Sequence, residues 1–223
     1  MTSPDTKHAA ALPSTLLRAT IAGEHTSIEQ LAVARAMVEG TIERETYLTL
    51  LQHMLALHTV VESDVLPALP ESIASPSMAR VPALLRDLAA LGGARKPMDA
   101  GSVDRIARFG SSLATETPLA LLGVIYVLEG SRMGSMVLYE PLARALSIQP
   151  SPGAGLDYHM EGMGETPLRF RALKAQIDAA LEDTGDATSA ASVAGRTMAL
   201  LHELYSSISR TMSNESTETA QAA

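Results

Sequence analysis

The stretch YVLEGSRMGSMVLYEPLARAL, Tyr126 to Leu146, spaces its apolar residues as one long buried helix, yet it carries Gly130 and Gly134 in its first half. A glycine in a helix interior costs roughly 1 kcal/mol against alanine, and here two fall one turn apart. Two readings account for them. Paired glycines let another helix approach closely, or they leave bare backbone on which a flat, rigid ligand can lie. Ser131, Ser135 and the missing side chains also weaken the helix, so a kink is expected there. A bend or break is expected at Pro141.

The surroundings of this helix are helical too. Of the 223 residues 46% are hydrophobic but only 3% aromatic, so the core is aliphatic and rests on Leu, Ala, Val and Met, which favour helices over a β-sandwich. Helical spacing predicts two helices between Ser14 and Glu39, meeting near His25–Thr26 and closed by Gly40. A third runs from a Thr41 cap to about Leu66, followed by the loop PALPESIASPS. Further helices are predicted near Ala79–Leu91, Val103–Ala114, Thr117–Leu146, Leu168–Glu182 and Ser189–Ser209. The Gly- and Pro-rich segment Gln149–Pro167 reads as a long loop. The expectation is a single all-α domain of about eight helices over residues 14–210. Polar tails at 1–13 and 211–223 are expected to be disordered.

Composition also narrows the function. A formal net charge of −8 with no basic stripe argues against nucleic-acid binding. The absence of cysteine excludes disulfides, thiolate catalysis and cysteine metal sites. The opening MTSPDTKHAAALP lacks the apolar core of a secretory leader, and no charge-free window approaches the roughly 20 residues of a membrane span. A soluble, cytoplasmic protein with no membrane partner is expected.

Among residues that carry chemistry, His25 lies four before Glu29, a spacing that places both on one helix face. A neutral imidazole ligates metal or haem iron, and a carboxylate can hold its other nitrogen; the same spacing also suits an ordinary surface pair. The histidines His8, His53, His159 and His202 are less informative: one in the N-terminal tail, one on a polar face, one in the long loop and one in the last helix. No Glu-x-x-His pair is duplicated, which disfavours a di-iron carboxylate site. Glu43, Glu45 and Glu62 read as helix-start or solvated positions.

LLGVIYVLEGSRMGSMVL resembles the distal-helix segment of bacterial haem oxygenases, most specifically in its EGSRMG core. Leu17-Arg18, then His25 and Glu29, is similar to that family's proximal helix; GTIERETYLTLLQHMLALHTVVES, GAGLDYHMEGMGETPLRFRAL and GRTMALLHELY are similar to later segments. The resemblance spans Leu16 to Tyr205. It implies haem, as cofactor and substrate, held between a proximal helix and a kinked distal helix. His25 would be the axial iron ligand and Glu29 its support, with Gly130, Ser131 and Gly134 as the distal wall. Haem would be opened to biliverdin, carbon monoxide and ferrous iron with dioxygen. Electrons would come from a ferredoxin, a flavodoxin or a flavoprotein reductase, and a bilin-binding photoreceptor is a candidate downstream partner.

The resemblance places Arg18 and Arg171, with Lys174 as an alternative, at the haem propionates, where guanidinium groups bind carboxylates through paired hydrogen bonds. It places Met133, Met198 and Tyr205 around the macrocycle, and His58 at a position usually aromatic, where it would either anchor a catalytic water or stand as a buried, satisfied histidine. The chain also departs from the family pattern. No aspartate follows Gly130 before the helix ends, Ser135 replaces a frequent second glycine, and Ile21 stands where the family has threonine. These departures motivate a second expectation, a haem carrier or sensor that keeps the pocket without efficient cleavage.

Overall fold

The computed structural model describes residues 12–93 and 97–221, with the side chains of 184 and 215–221 left aside. The described residues form helices throughout: α1 Pro13–Glu29, α2 Ala32–Glu39, α3 Arg44–Val60, α4 Val81–Ala90, α5 Ala100–Leu113, α6 Leu122–Ala145, the single turn α7 Asp157–Met160, α8 Thr166–Ala180 and α9 Thr184–Gln221. None of these is long and apolar enough to cross a membrane. The expected N-terminal tail lies, up to residue 11, outside the described residues, and His8 with it.

α9 is the spine. Its small residues Ala187, Ala190, Ala191 and Ala194 are buried, and α1 and α6 both pack along it. A Cβ on Gly123 would sit 2.1 Å from the Ala190 carbonyl oxygen and 2.6 Å from the Ala194 nitrogen, so here the α6 backbone touches that of α9. Along α1, Thr20 packs at Gly195, Glu24 pairs with His202 at 3.3 Å, and the Val33 amide just beyond donates to Ser209 Oγ at 3.2 Å. α1 and α9 therefore run in the same direction. So does α6, whose start lies at Ala190 and whose Pro141, near its end, meets Gly40 after α2.

Several boundaries differ from the sequence expectation, each for a local reason. The first two helices part at Gln30–Leu31, not at His25–Thr26. The hydroxyls that resemble a cap there bond backward inside the helix instead, Thr26 Oγ1 to the Ala22 carbonyl at 3.1 Å and Ser27 Oγ to the Gly23 carbonyl at 3.0 Å. Gly40, at φ +70°, does close α2. α3 gives way at Val61–Val65 to a π turn. α6 is continuous through Gly130, Gly134 and Pro141, so the expected break at Pro141 is absent. Proline removes one helical hydrogen bond, and the buried Pro141 packs on Gly40, where an added Cβ would lie 3.0 Å from its carbonyl oxygen.

The expected loop at Gln149–Pro167 contains α7, because a carboxylate from another helix caps it. Asp87 of α4 accepts the amides of Asp157 at 2.7 Å and Tyr158 at 2.8 Å. α9 continues to Gln221 through the stretch read as a tail, which holds no glycine or proline to stop it.

Candidate functional site

α1 and α6 lie on the same helices, α9 and α8, while scarcely touching each other. The space between them is the candidate cleft. Arg18 on α1 is within electrostatic reach of Tyr126 on α6. His25 lies seven residues beyond Arg18, and Met133 and Gly134 lie seven and eight beyond Tyr126. Two turns advance each helix by about 10.5 Å, so His25 and Met133–Gly134 lie similar distances along their own helices from Arg18 and Tyr126.

The α1 side is polar and open. His25 Nδ1 lies 3.5 Å from Glu29 Oε1, and the two side chains are 58% and 60% exposed. The pair faces solvent, while Leu17, earlier in the same helix, is fully buried. The α6 side is apolar and open. Met133, Met136 and Val137 are exposed, Val137 to 65%, and a Cβ on Gly134 would meet nothing within 4 Å.

Gly130 differs. A Cβ there would lie 3.2 Å from Phe170 Cζ of α8, so this glycine makes room for a ring of the protein. Phe170 in turn packs on Tyr126, with centroids 5.6 Å apart. Lys174 Nζ stands over Phe170 at 5.4 Å. The end of the cleft therefore carries two cations, Arg18 and Lys174. Arg171 is exposed on α8, and Lys174 rather than Arg171 reaches this ring pair. Ser131 spends its hydroxyl on the Leu128 carbonyl at 2.7 Å. Met198 is buried in the α9 core.

Behind α6, away from the open face, lies a polar cluster that sequence reasoning largely missed. His58 Nε2 is 3.2 Å from the Tyr158 hydroxyl, and Ser135 Oγ is 3.1 Å from His159 Nδ1. Tyr47 stacks on His159 with centroids 6.0 Å apart, and Tyr205 borders Tyr158. Burial, reinforced by the charges of Arg80 and Arg132, pulls His58 down to about 3; burial and Arg80 pull His159 down to about 4. Both imidazoles are therefore neutral at pH 7. Burial also pushes the Tyr158 phenol up to about 12 and raises that of Tyr205.

The scaffold of this cluster is charged. Arg80, nearly fully buried, donates to the carbonyls of Asp157 (3.3 Å) and Tyr158. Arg86 Nε donates to Asp157 Oδ2 at 2.6 Å. Arg132 binds Glu129 at 3.1 Å and donates to the carbonyls of Ser77 at 3.1 Å and Glu161 at 3.0 Å. Glu62 is no solvated carboxylate: its Oε1 accepts the amides of Arg80 at 2.5 Å and Val81 at 2.7 Å, capping α4. Among the described residues no three His, Asp or Glu side chains converge to hold a metal ion.

Fold and cleft together define an all-helical protein of the haem-oxygenase-like class. Residues 12–206 match the family described as Heme oxygenase, and the chain belongs to that family. Among solved structures it is similar to the heme oxygenase of Leptospira interrogans, with a TM-score of 0.77 at 22% identity, covering 88% of this chain and 100% of that one. It is also similar to heme oxygenase-1 of the cyanobacterium Synechocystis in complex with heme, with a TM-score of 0.73 at 14% identity over 94% of this chain and 100% of that one. A TenA homolog from Pseudomonas syringae pv. tomato shares the fold at a TM-score of 0.63 and 10% identity, over 94% of this chain and 98% of that one. The fold thus extends beyond one activity. No curated protein matches the sequence.

Proposed function

We propose that this protein is a haem oxygenase that takes haem into the cleft between α1 and α6. The observation that supports the reading is an exposed imidazole on α1, His25 beside Glu29, together with unobstructed backbone at Gly134 on α6. The residues present suit a porphyrin. Gly134 has open space where a side chain would stand, Met133, Met136 and Val137 offer an apolar face, and Arg18 and Lys174 supply cations for carboxylate groups at one end.

In this reading Glu29, beside His25 Nδ1, leaves Nε2 as the nitrogen for iron. The apolar face of α6 excludes water and orients the ring, while Gly134 lets the plane approach the main chain. Bound haem supplies the oxidation chemistry and is itself the substrate, opened to biliverdin, carbon monoxide and ferrous iron with dioxygen and external electrons. The electrons are assigned to a soluble ferredoxin, flavodoxin or flavoprotein reductase. His58, bonded to Tyr158, belongs to the buried cluster behind α6 and not to the cleft surface.

Hemin-loaded protein given a reductant in air tests the activity. Loss of the Soret band with biliverdin as the isolated product is expected; an intact haem after many reducing equivalents would mark the protein as a haem carrier instead.

A further inference from the structure

His53 of α3, expected from the sequence on a polar face, is only 1% exposed. Its Nδ1 lies 2.7 Å from the Thr49 carbonyl oxygen, one turn earlier in the same helix. A carbonyl oxygen only accepts, so Nδ1 carries the hydrogen, and in the neutral ring Nε2 presents a lone pair. Among the described residues none hydrogen-bonds that buried nitrogen. It faces a second acceptor instead, Oδ2 of Asp99, at 3.6 Å.

Asp99 is held in place as well. Its Oδ1 accepts the Ser102 amide at 2.9 Å, capping α5, and its Oδ2 accepts the hydroxyl of Ser207 on α9 at 3.2 Å. Against the penalty of burial, the bonds from Ser102 and Ser207 hold its carboxyl down to about 2, so it is ionised at neutral pH. The guanidinium of Arg105, beside Oδ1, is engaged by Glu203 at 3.2 Å. A lone pair and a carboxylate oxygen thus confront each other across 3.6 Å with no described donor between them. An N–H···O bond spans about 2.7–3.2 Å, so the separation is too long for a shared proton. It is close to the roughly 3.4 Å between two ligands that each stand about 2.1 Å from a tetrahedral zinc ion.

We propose that His53 Nε2 and Asp99 Oδ2 bind a divalent metal ion of the zinc class, which ties α3 to the start of α5. Water fills the remaining positions on the side where the Asp99 side chain is 49% exposed. Zinc suits a mixed set of nitrogen and oxygen ligands. The groups behind the two ligands fit the role. A metal-binding imidazole donates its other N–H to a carbonyl or carboxylate, and a metal-binding carboxylate is itself hydrogen-bonded; Thr49, Ser102 and Ser207 supply those contacts. With two protein ligands this is a weaker site than a three-ligand zinc centre. It shares no residue with the cleft between α1 and α6, and it does not rest on the haem oxygenase reading.

The test uses the haem-free full chain and zinc chloride. Zinc-soaked crystals are expected to show an anomalous peak at the zinc edge, bonded to His53 Nε2 and Asp99 Oδ2. In solution near neutral pH, competition with a chromogenic chelator counts the zinc equivalents. Asp99→Asn keeps an amide oxygen to cap α5 and is expected to lose this equivalent, as is His53→Gln. Ser207→Ala, which removes only a group behind the carboxylate, should weaken it about 10-fold. Zinc should raise the melting temperature of the wild type more than that of Asp99→Asn. A zinc-soaked crystal with His53 bonded directly to Asp99 and no peak between them would overturn the proposal. So would equal zinc stoichiometry and affinity in wild type, Asp99→Asn and His53→Gln. A peak in the crystal with no matching equivalent in solution would mark binding at crystal concentration only, and the proposal would fall with it.

Discussion

The two faces of α6 obey opposite rules. On one face, Met133, Gly134, Met136 and Val137 are apolar and exposed, and none of the described residues fills the space at Gly134. Toward the interior, Arg132 and Ser135 are polar and buried, and both are bonded. This inverts the usual helix, which buries its apolar stripe and solvates its polar one. An apolar strip left open beside a polar side kept buried leaves a contact for something outside the chain to make. The glycines of α6 sort along the same line. Gly123 admits α9, Gly130 admits Phe170, and Gly134 meets none of the described residues.

That contrast can be broken by substitution. Gly123→Ala puts a methyl group into α9 backbone and is expected to lose about 3 kcal/mol of unfolding free energy, at the upper end for overpacking; a wild-type urea midpoint would refute the backbone contact. Acid should weaken the interior face. Burial lowers His58 and His159 below the ordinary 6.5, so unfolding takes up protons, and their contribution is lost as pH falls from 6.5 toward about 4 for His159 and about 3 for His58. Asp87, raised from 3.8 to about 6 mainly by burial, works in the opposite direction, adding stability as pH falls through 6. Two histidines outweigh one aspartate. At pH 4.5 the net loss from these three groups is about 3 kcal/mol relative to pH 7, read from urea unfolding at the two pH values. A stability that rises steadily toward pH 4.5 would contradict the buried neutral imidazoles.

Smaller effects sharpen the comparison. Glu62→Ala removes the carboxylate that caps α4 and is expected to lose about 1 kcal/mol. Gly134→Ala is expected to gain up to about 1 kcal/mol, because the methyl group meets no neighbour and alanine favours the helix. Destabilisation by that change would show that the space at Gly134 is filled.

How much of this the sequence disclosed depends on the range of the contact. Aliphatic spacing marked every long helix, whereas spacing alone left His25, Glu29 and Gly134 open between ordinary and functional readings, and only the resemblance of short segments singled them out. The neighbour of Gly130 was not legible because that neighbour, the Phe170 ring, is 40 residues away. Gly123 was overlooked because its partners, Ala190 and Ala194, are further still. The α1–α2 boundary was misplaced because a hydroxyl that caps a helix and one that bonds back within it look alike in sequence. His159 was hidden in a Gly- and Pro-rich segment whose order comes from Asp87, 70 residues earlier. Nothing near His159 in the chain reports that carboxylate; an aspartate inside the apolar run of α4 was the one available signal.

The most direct test of the central claim is the optical titration of the protein with hemin, run in parallel on wild type and His25→Ala. The side chain is exposed, so the substitution is expected to leave the fold intact, within about 0.5 kcal/mol. Wild type should bind one equivalent with the spectrum of histidine-ligated haem, and the variant should lose that spectrum while remaining folded by circular dichroism. An identical Soret band and affinity in His25→Ala would contradict the account.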